Sequence, residues 1–194
     1  MTTQHFSFRT FTTKRVFMTL TSAITVLLFW SVIRPHEGFA RQDSLARFIA
    51  KTLFVRGKVS TPLQISLADL RSFKQYTVTK VPIVSYSGEK KETIGTAKGV
   101  LIRDVLEKAG IVFEGKRDFN SIIIKATATD GFTTLFSWHE IFNSETGNHI
   151  YIITEKDGKP LASKEADFML LSAKDIKTGP RHVRWLQVIE VIKL

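Results

Sequence analysis

The stretch Ala126 to Phe142, ATATDGFTTLFSWHEIF, constrains the fold most, because it compresses a strand end, a tight turn, a returning strand and a helix start into one short segment. Upstream, Ser121 to Ala128 reads as a strand: Ile122, Ile123 and Ile124 are β-branched, and Thr and Ala alternate after them. Asp130-Gly131 then ends it. The pair is a hairpin signal, since both central residues of the favoured two-residue turn take positive φ, and Phe132 to Phe136 is the expected returning strand. Ser137-Trp138-His139-Glu140 has capping-box spacing, with the Ser137 hydroxyl taking the Glu140 amide and the Glu140 carboxylate taking the Ser137 amide. Phe136 and Ile141 stand at the staple positions. Turn residues projected over a sheet end in this way are where ligand sites are often built.

The rest of the chain supplies the partners this segment needs. Leu53 to Val59 reads as a strand, and Ser66 can cap a short helix through LADLRSF. A strand over Tyr76 to Tyr86 contains Pro82, which argues for an edge or a bulge. Ser87 to Lys90 is a turn, with a partner strand over Lys91 to Gly95. GVLIRDVLEKAG, 99 to 110, is the clearest helix: Leu101, Ile102, Val105, Leu106 and Ala109 share one face, and Gly110 stops it. His149 to Thr154 and Phe168 to Ser172 read as strands, with a turn at Asp157-Gly158. A closing strand over Arg181 to Leu194 is expected to bulge beside Trp185. Short strands with a few short helices and no regular βαβ alternation predict an α+β domain with mixed sheets.

Ahead of that domain, Arg9, Lys14 and Arg15 precede an uncharged apolar run of eighteen residues from Val16 to Ile33. That length fits either an export signal, with Gly38-Phe39-Ala40 as the cleavage region, or an uncleaved membrane anchor. Residues 1–40 are thus a signal or anchor and 41–54 a linker or a short helix capped by Asp43, with Leu45, Ile49 and Leu53 at helical spacing. The domain proper begins at 55, and it is expected outside the cytoplasm, in the periplasm or an equivalent space. Residues 1–40 hold four of the 28 basic and one of the 18 acidic side chains, which leaves 41–194 at +7. For an exported protein such a charge reads as a solvated basic face or a surface for anions and membranes rather than for nucleic acid.

There is no cysteine in the chain, so disulfides, thiolate metal sites and cysteine nucleophiles are excluded. His139, His149 and His182 form no HExxH or i,i+4 pair, and no GxSxG, phosphate-binding loop or GxGxxG is present. Neither a catalytic set nor a metal site is therefore expected. One other concentration of chemistry stands out: Gly179-Pro180-Arg181-His182-Val183-Arg184-Trp185 brings two guanidiniums, an imidazole and an indole to a loop entering a strand. Such groups suit a flat heteroaromatic or anionic ligand, and equally a core tryptophan flanked by surface arginines. Trp138, at the first position of the capped helix, can cover a pocket or pack on the sheet.

The ordered segments GVLIRDVLEKAG, ATATDGF with FSWHEI, KDGKPL, DFMLLSAKD and RHVRWLQVIEV together resemble the molybdopterin-binding domain of the sulfite oxidase family, over roughly Val55 to Leu194. The resemblance implies a compact mixed-sheet α+β fold. It also implies a molybdenum-ligating cysteine around Ile83 to Ser85, where this chain reads Ile83-Val84-Ser85. In that respect the chain is similar to the small exported pterin-binding proteins that use this fold without molybdenum and report to a membrane enzyme of cyclic-di-GMP turnover. The implied ligand is a pterin, with Asp130, Phe132, Trp138, Arg181, Arg184 and Trp185 as the candidate binding residues. The rival expectations are a molybdenum-cofactor oxidoreductase with atypical ligation and an interaction module whose pocket has closed.

Overall fold

A computed structural model describes residues 50–161 and 168–194, all within the unit Arg41–Leu194. The apolar N-terminal run and the helix start predicted at Asp43, with Leu45 and Ile49, lie outside the described residues. Leu53 opens a strand.

In chain order the elements are β1 (Leu53–Gly57), β2 (Leu63–Ile65), α1 (Leu67–Ser72), β3 (Tyr76–Val84), β4 (Lys90–Leu101), α2 (Ile102–Ala109), β5 (Ile122–Ala128), β6 (Thr133–Ser137), α3 (Trp138–Phe142), β7 (Ile150–Lys156), β8 (Lys159–Pro160), β9 (Met169–Ser172) and β10 (Leu186–Lys193). They form two sheets. One has the order β2-β1-β10-β5-β6, in which only β1 and β10 are parallel; the other runs β3-β4-β7-β8, with β9 also on β7. The domain is thus the mixed-sheet α+β arrangement that the strand pattern predicts.

Alternation explains the first sheet. Ile122, Ile124, Ala126 and Ala128 of β5 are buried, while the residues between them are half-buried. They join Leu53, Val55, Ile189 and Val191 in the main core, which also takes in Val100, Ile102, Ile150, Ile152 and Leu170. The intervening residues of β7, Tyr151 and Ile153, enter a second core with Val81, Ile83 and Leu171. β7 is therefore buried on both faces. β3 lies at a sheet edge, which is where Pro82 can sit without breaking a ladder.

Several boundaries differ from the sequence reading, among them the partner strand expected over Lys91 to Gly95, which runs from Lys90 to Leu101. The helix expected over 99–110 begins only at Ile102, because Gly99, Val100 and Leu101 pair with Ile153, Ile152 and Tyr151 of β7. Sheet pairing outweighs helical periodicity there. The closing strand starts at Leu186 rather than Arg181; residues 179–181 form a 3-10 turn, and the register shifts between Leu186 and Val188, next to Trp185. Finally, the Asp130-Gly131 turn is not the expected two-residue type. Only Gly131 has positive φ, at 88°, whereas Asp157 and Gly158 both do. The Gly131 amide bonds the Ala128 carbonyl at 3.1 Å and the Ala128 amide bonds the Phe132 carbonyl at 2.8 Å, so β6 starts at Thr133, one residue late.

Candidate ligand-binding site

The end of β3, the β5–β6 turn and the loop 179–185 surround a cleft of about 570 Å³. The loop is fixed to β3 from below. Buried Thr178 donates its hydroxyl to the Pro82 carbonyl at 2.5 Å and accepts the Val84 amide at 2.9 Å. Gly179 then passes so close that a Cβ there would stand 2.7 Å from the Val84 carbonyl oxygen. These contacts bring the loop and β3 together as the cleft floor, where Ile83, Ser85, Gly179 and Pro180 lie.

Four of the six predicted residues meet here: Asp130, Phe132, Arg184 and Trp185 all line the cleft. Asp130 is also a turn residue, since its Oδ1 accepts the Phe132 amide at 3.0 Å. That bond leaves further carboxylate lone pairs and orients Phe132, which is 41% exposed. Trp185 is half-buried: it packs against the main core and also lines the cleft.

Arg181 and Trp138 are not among the cleft's lining residues. Arg181 is locked behind the cleft: its Nε and Nη2 donate to the two oxygens of Asp175 at 2.6 and 2.5 Å, and its Nη1 donates to Glu140 at 2.8 Å. Its guanidinium also lies 4.5 Å from the centre of the Phe136 ring. The bond to Asp175 raises the pKa of Arg181 despite its burial. Glu140 is the capping-box acid of α3, bonded to the Ser137 amide at 2.8 Å. Burial alone would raise its pKa, but that amide and Arg181 outweigh burial and hold it below the usual range. Trp138 is absent from the cleft lining. It stacks on Phe142 at 5.3 Å and meets Phe119 at 5.4 Å and Phe113 at 6.2 Å, so it packs in a separate aromatic cluster.

The structure adds residues that sequence reasoning missed, above all Tyr86, Lys91 and His182. His182 stood in the segment singled out, without a role. It is buried, with Nε2 3.0 Å from the Met169 sulfur. Burial, with Arg184 nearby, lowers its pKa to about 4, so the ring is neutral at physiological pH. Arg184 is 58% exposed and reaches Glu92 at 3.3 Å, while Lys156 reaches the same carboxylate at 3.1 Å. Burial opposes ionisation of Glu92, yet the bond from Lys156 and the charges of Lys156 and Arg184 prevail and lower its pKa. Arg184 can therefore leave Glu92 without stranding it.

The geometry defines a two-sheet α+β binding domain with an open cleft bordered by aromatic rings, a neutral imidazole and a releasable guanidinium. Its family is shown by residues 49–193, which match the family described as "Oxidoreductase molybdopterin binding domain"; the chain belongs to that family. Among solved structures, it is similar to the sulfane dehydrogenase SoxCD from Paracoccus pantotrophus, with a TM-score of 0.52 and 17% identity. The match covers 75% of this chain and 38% of that one, so the chain corresponds to well under half of SoxCD's length. A comparison with curated proteins finds no match.

The family's title group can be tested against this cleft. Its donors are hydroxyl, carboxylate, imidazole, ammonium and guanidinium groups, and no thiolate exists anywhere in the chain. Among the described residues, no cluster of three or more His, Asp or Glu side chains is placed to hold a metal. A thiolate-held molybdenum does not fit this donor set. The flat organic part of the cofactor does, since its rings need a stacking face and its polar edge needs donors and acceptors, which the cleft has.

Proposed function

We propose that this chain is an exported, non-catalytic receptor for a pterin, working without molybdenum and passing its ligand state to a membrane-bound signalling protein such as an enzyme of cyclic-di-GMP turnover. The observation that carries the reading is the pairing of an open, aromatic-bordered cleft in a molybdopterin-binding fold with the absence of any cysteine. A volume of about 570 Å³ lies within the range of small-molecule sites. Trp185 and Phe132 offer stacking faces; the Asp130 carboxylate can accept from the amino and amide edge, and His182 and Arg184 supply further polar contacts. An open cleft of that size also counts against an interaction module with a closed pocket.

The test is anaerobic calorimetry of the full chain in detergent with tetrahydrobiopterin, with oxidised biopterin and free molybdopterin as comparators. Saturable binding of the reduced pterin at micromolar or tighter affinity is the expected result. Absence of binding by all three would remove the receptor reading. Molybdenum in stoichiometric amount, by elemental analysis after expression in a cofactor-making host, would favour the oxidoreductase.

A further inference from the structure

Seven large apolar side chains are exposed among the described residues; Tyr86 and Phe132 line the cleft, Leu135 follows Phe132 along the chain, and Ile176 precedes Lys177, which contacts Tyr86. Tyr86 comes from the β3–β4 turn and Phe132 from the β5–β6 turn. Leu135 lies two residues along β6 from Thr133, another lining residue, on the same exposed face of the strand. Ile176, 96% exposed, adjoins Tyr86 through Lys177, whose Nζ donates to the Tyr86 carbonyl and sits 4.8 Å over its ring. Leaving such a cluster in water costs free energy, and exposed apolar groups concentrated at one place mark an interaction surface. Lys177 lies over the Tyr86 ring, and the Asp130 turn fixes the Phe132 backbone.

Charge selects the kind of partner. Near the mouth, Glu89 is held by Lys91 at 2.5 Å, Glu92 by Lys156 and Arg184, and Asp175 by Arg181. Lys90 and Lys177 have no ion-pair partner among the described residues, and both are exposed. The mouth thus presents aromatic and aliphatic anchors beside lysines whose charge is not neutralised. A second copy would bring the same two lysines against one carboxylate there without a salt bridge among the described residues, Asp130, and so meets net like charge. A protein surface with acidic side chains around an apolar centre is complementary in both respects.

We propose that the cleft mouth, formed by Tyr86, Phe132, Leu135, Ile176, Lys90 and Lys177, is the docking face for a protein partner that presents acidic and apolar side chains together. Because Tyr86 and Phe132 belong to both cleft and face, the partner touches whatever the cleft holds. The identity of that occupant rests on the pterin reading above; the face itself does not.

The experiment places a photoreactive benzoylphenylalanine at position 176 of the full chain, with position 116 as the control, beyond the far end of β5. Irradiation in the cells that make the protein is expected to join position 176 to one protein, with mass spectrometry locating the bond in an acidic segment. The yield should be at least tenfold lower from position 116. It should fall at least tenfold in Lys90→Glu/Lys177→Glu, whose circular dichroism stays unchanged. A bond to a second copy, to lipid or to a segment without acidic residues overturns the proposal, as do equal yields from both positions or none. If the unsubstituted chain fails to bind tetrahydrobiopterin while position 176 still reaches an acidic segment, the pterin reading falls and the docking face stands.

Discussion

Arg181 and Arg184 lie three residues apart in one loop, yet they belong to regions with opposite physics. Arg181 donates to two carboxylates and stacks on Phe136, with 22% of its side chain exposed and its partner Asp175 only 11% exposed. Arg184 is 58% exposed and shares Glu92 with Lys156. In the first region Arg181 and Asp175 are largely shielded from water, so the interaction is a structural tie between the loop and the cap of α3. In the second, solvent and Lys156 can substitute for Arg184, which leaves the guanidinium available to a ligand. The same side-chain chemistry becomes scaffold or site according to the carboxylates the fold brings beside it.

The largest effect should come from breaking the tie. Arg181→Met leaves Asp175 and Glu140 without their cation in a poorly solvated place, and should cost about 3 kcal/mol, toward the low end for a buried pair because Glu140 keeps some contact with water. Urea unfolding followed by tryptophan fluorescence reads the loss directly. A cost below about 1 kcal/mol would mean that the tie behaves as a surface pair and that the contrast with Arg184 is wrong.

Next comes the loop's anchoring to β3. Gly179→Ala places a methyl 2.7 Å from the Val84 carbonyl oxygen, a backbone atom that cannot swing aside. The loop must lift, at a cost of about 2 kcal/mol, within the range of overpacked sites. Tetrahydrobiopterin affinity should fall with it, because Pro180, His182 and Trp185 move together. Unchanged stability and affinity would show that the floor is slack.

His182 gives a comparable effect that depends on pH. Its folded pKa is about 4 against an ordinary 6.5, so below pH 6.5 the unfolded chain takes up a proton that the folded chain refuses. Stability is therefore full above about pH 6.5, falls as pH drops toward 4, and stops falling on this account below it. Between pH 7 and 5 the loss should be about 2 kcal/mol. Arg184, Glu92 and Lys156 are the charged groups acting on this ring. In His182→Gln the slope over that interval should largely disappear, whatever the variant's absolute stability; a slope that persists would assign it to another group.

How much of this was legible in the sequence follows from how local each feature is. The Ser137–Glu140 capping box and the Ser66 cap were, since each closes over three residues, and both are present; the Asp69 half of the Ser66 box appears only in the structure. The alternation of β5 and the edge position implied by Pro82 are likewise written in short windows. What the sequence could not show is which distant carboxylate meets which arginine, since Glu140 lies 41 residues from Arg181 and Glu92 lies 92 from Arg184. Tyr86 and Lys91 stayed invisible for the same reason, because their hairpin becomes a cleft wall only through the bonds between Thr178 and β3. Trp138 at a capped helix start can cover a pocket or pack inward, and only the distant Phe113 and Phe119, with Phe142, show where its ring packs.

The smallest effect on stability, and the most specific to the site, belongs to Arg184. Arg184→Met removes one cation from Glu92 but leaves Lys156 at 3.1 Å, so the carboxylate keeps its partner and the unfolding free energy should move by less than about 0.5 kcal/mol. Its consequence should appear in binding instead. A guanidinium at the cleft wall that contacts an occupant through one charge-assisted hydrogen bond contributes about 1.5 to 3 kcal/mol, a loss of roughly tenfold or more in tetrahydrobiopterin affinity on removal. Calorimetry on Arg184→Met beside Arg181→Met at a temperature where both remain folded separates the two roles. Affinity should fall in the first with stability intact, and stability in the second with affinity lowered only as far as the loop is displaced. The reverse pattern would make Arg181 the ligand contact and return Arg184 to the solvated surface.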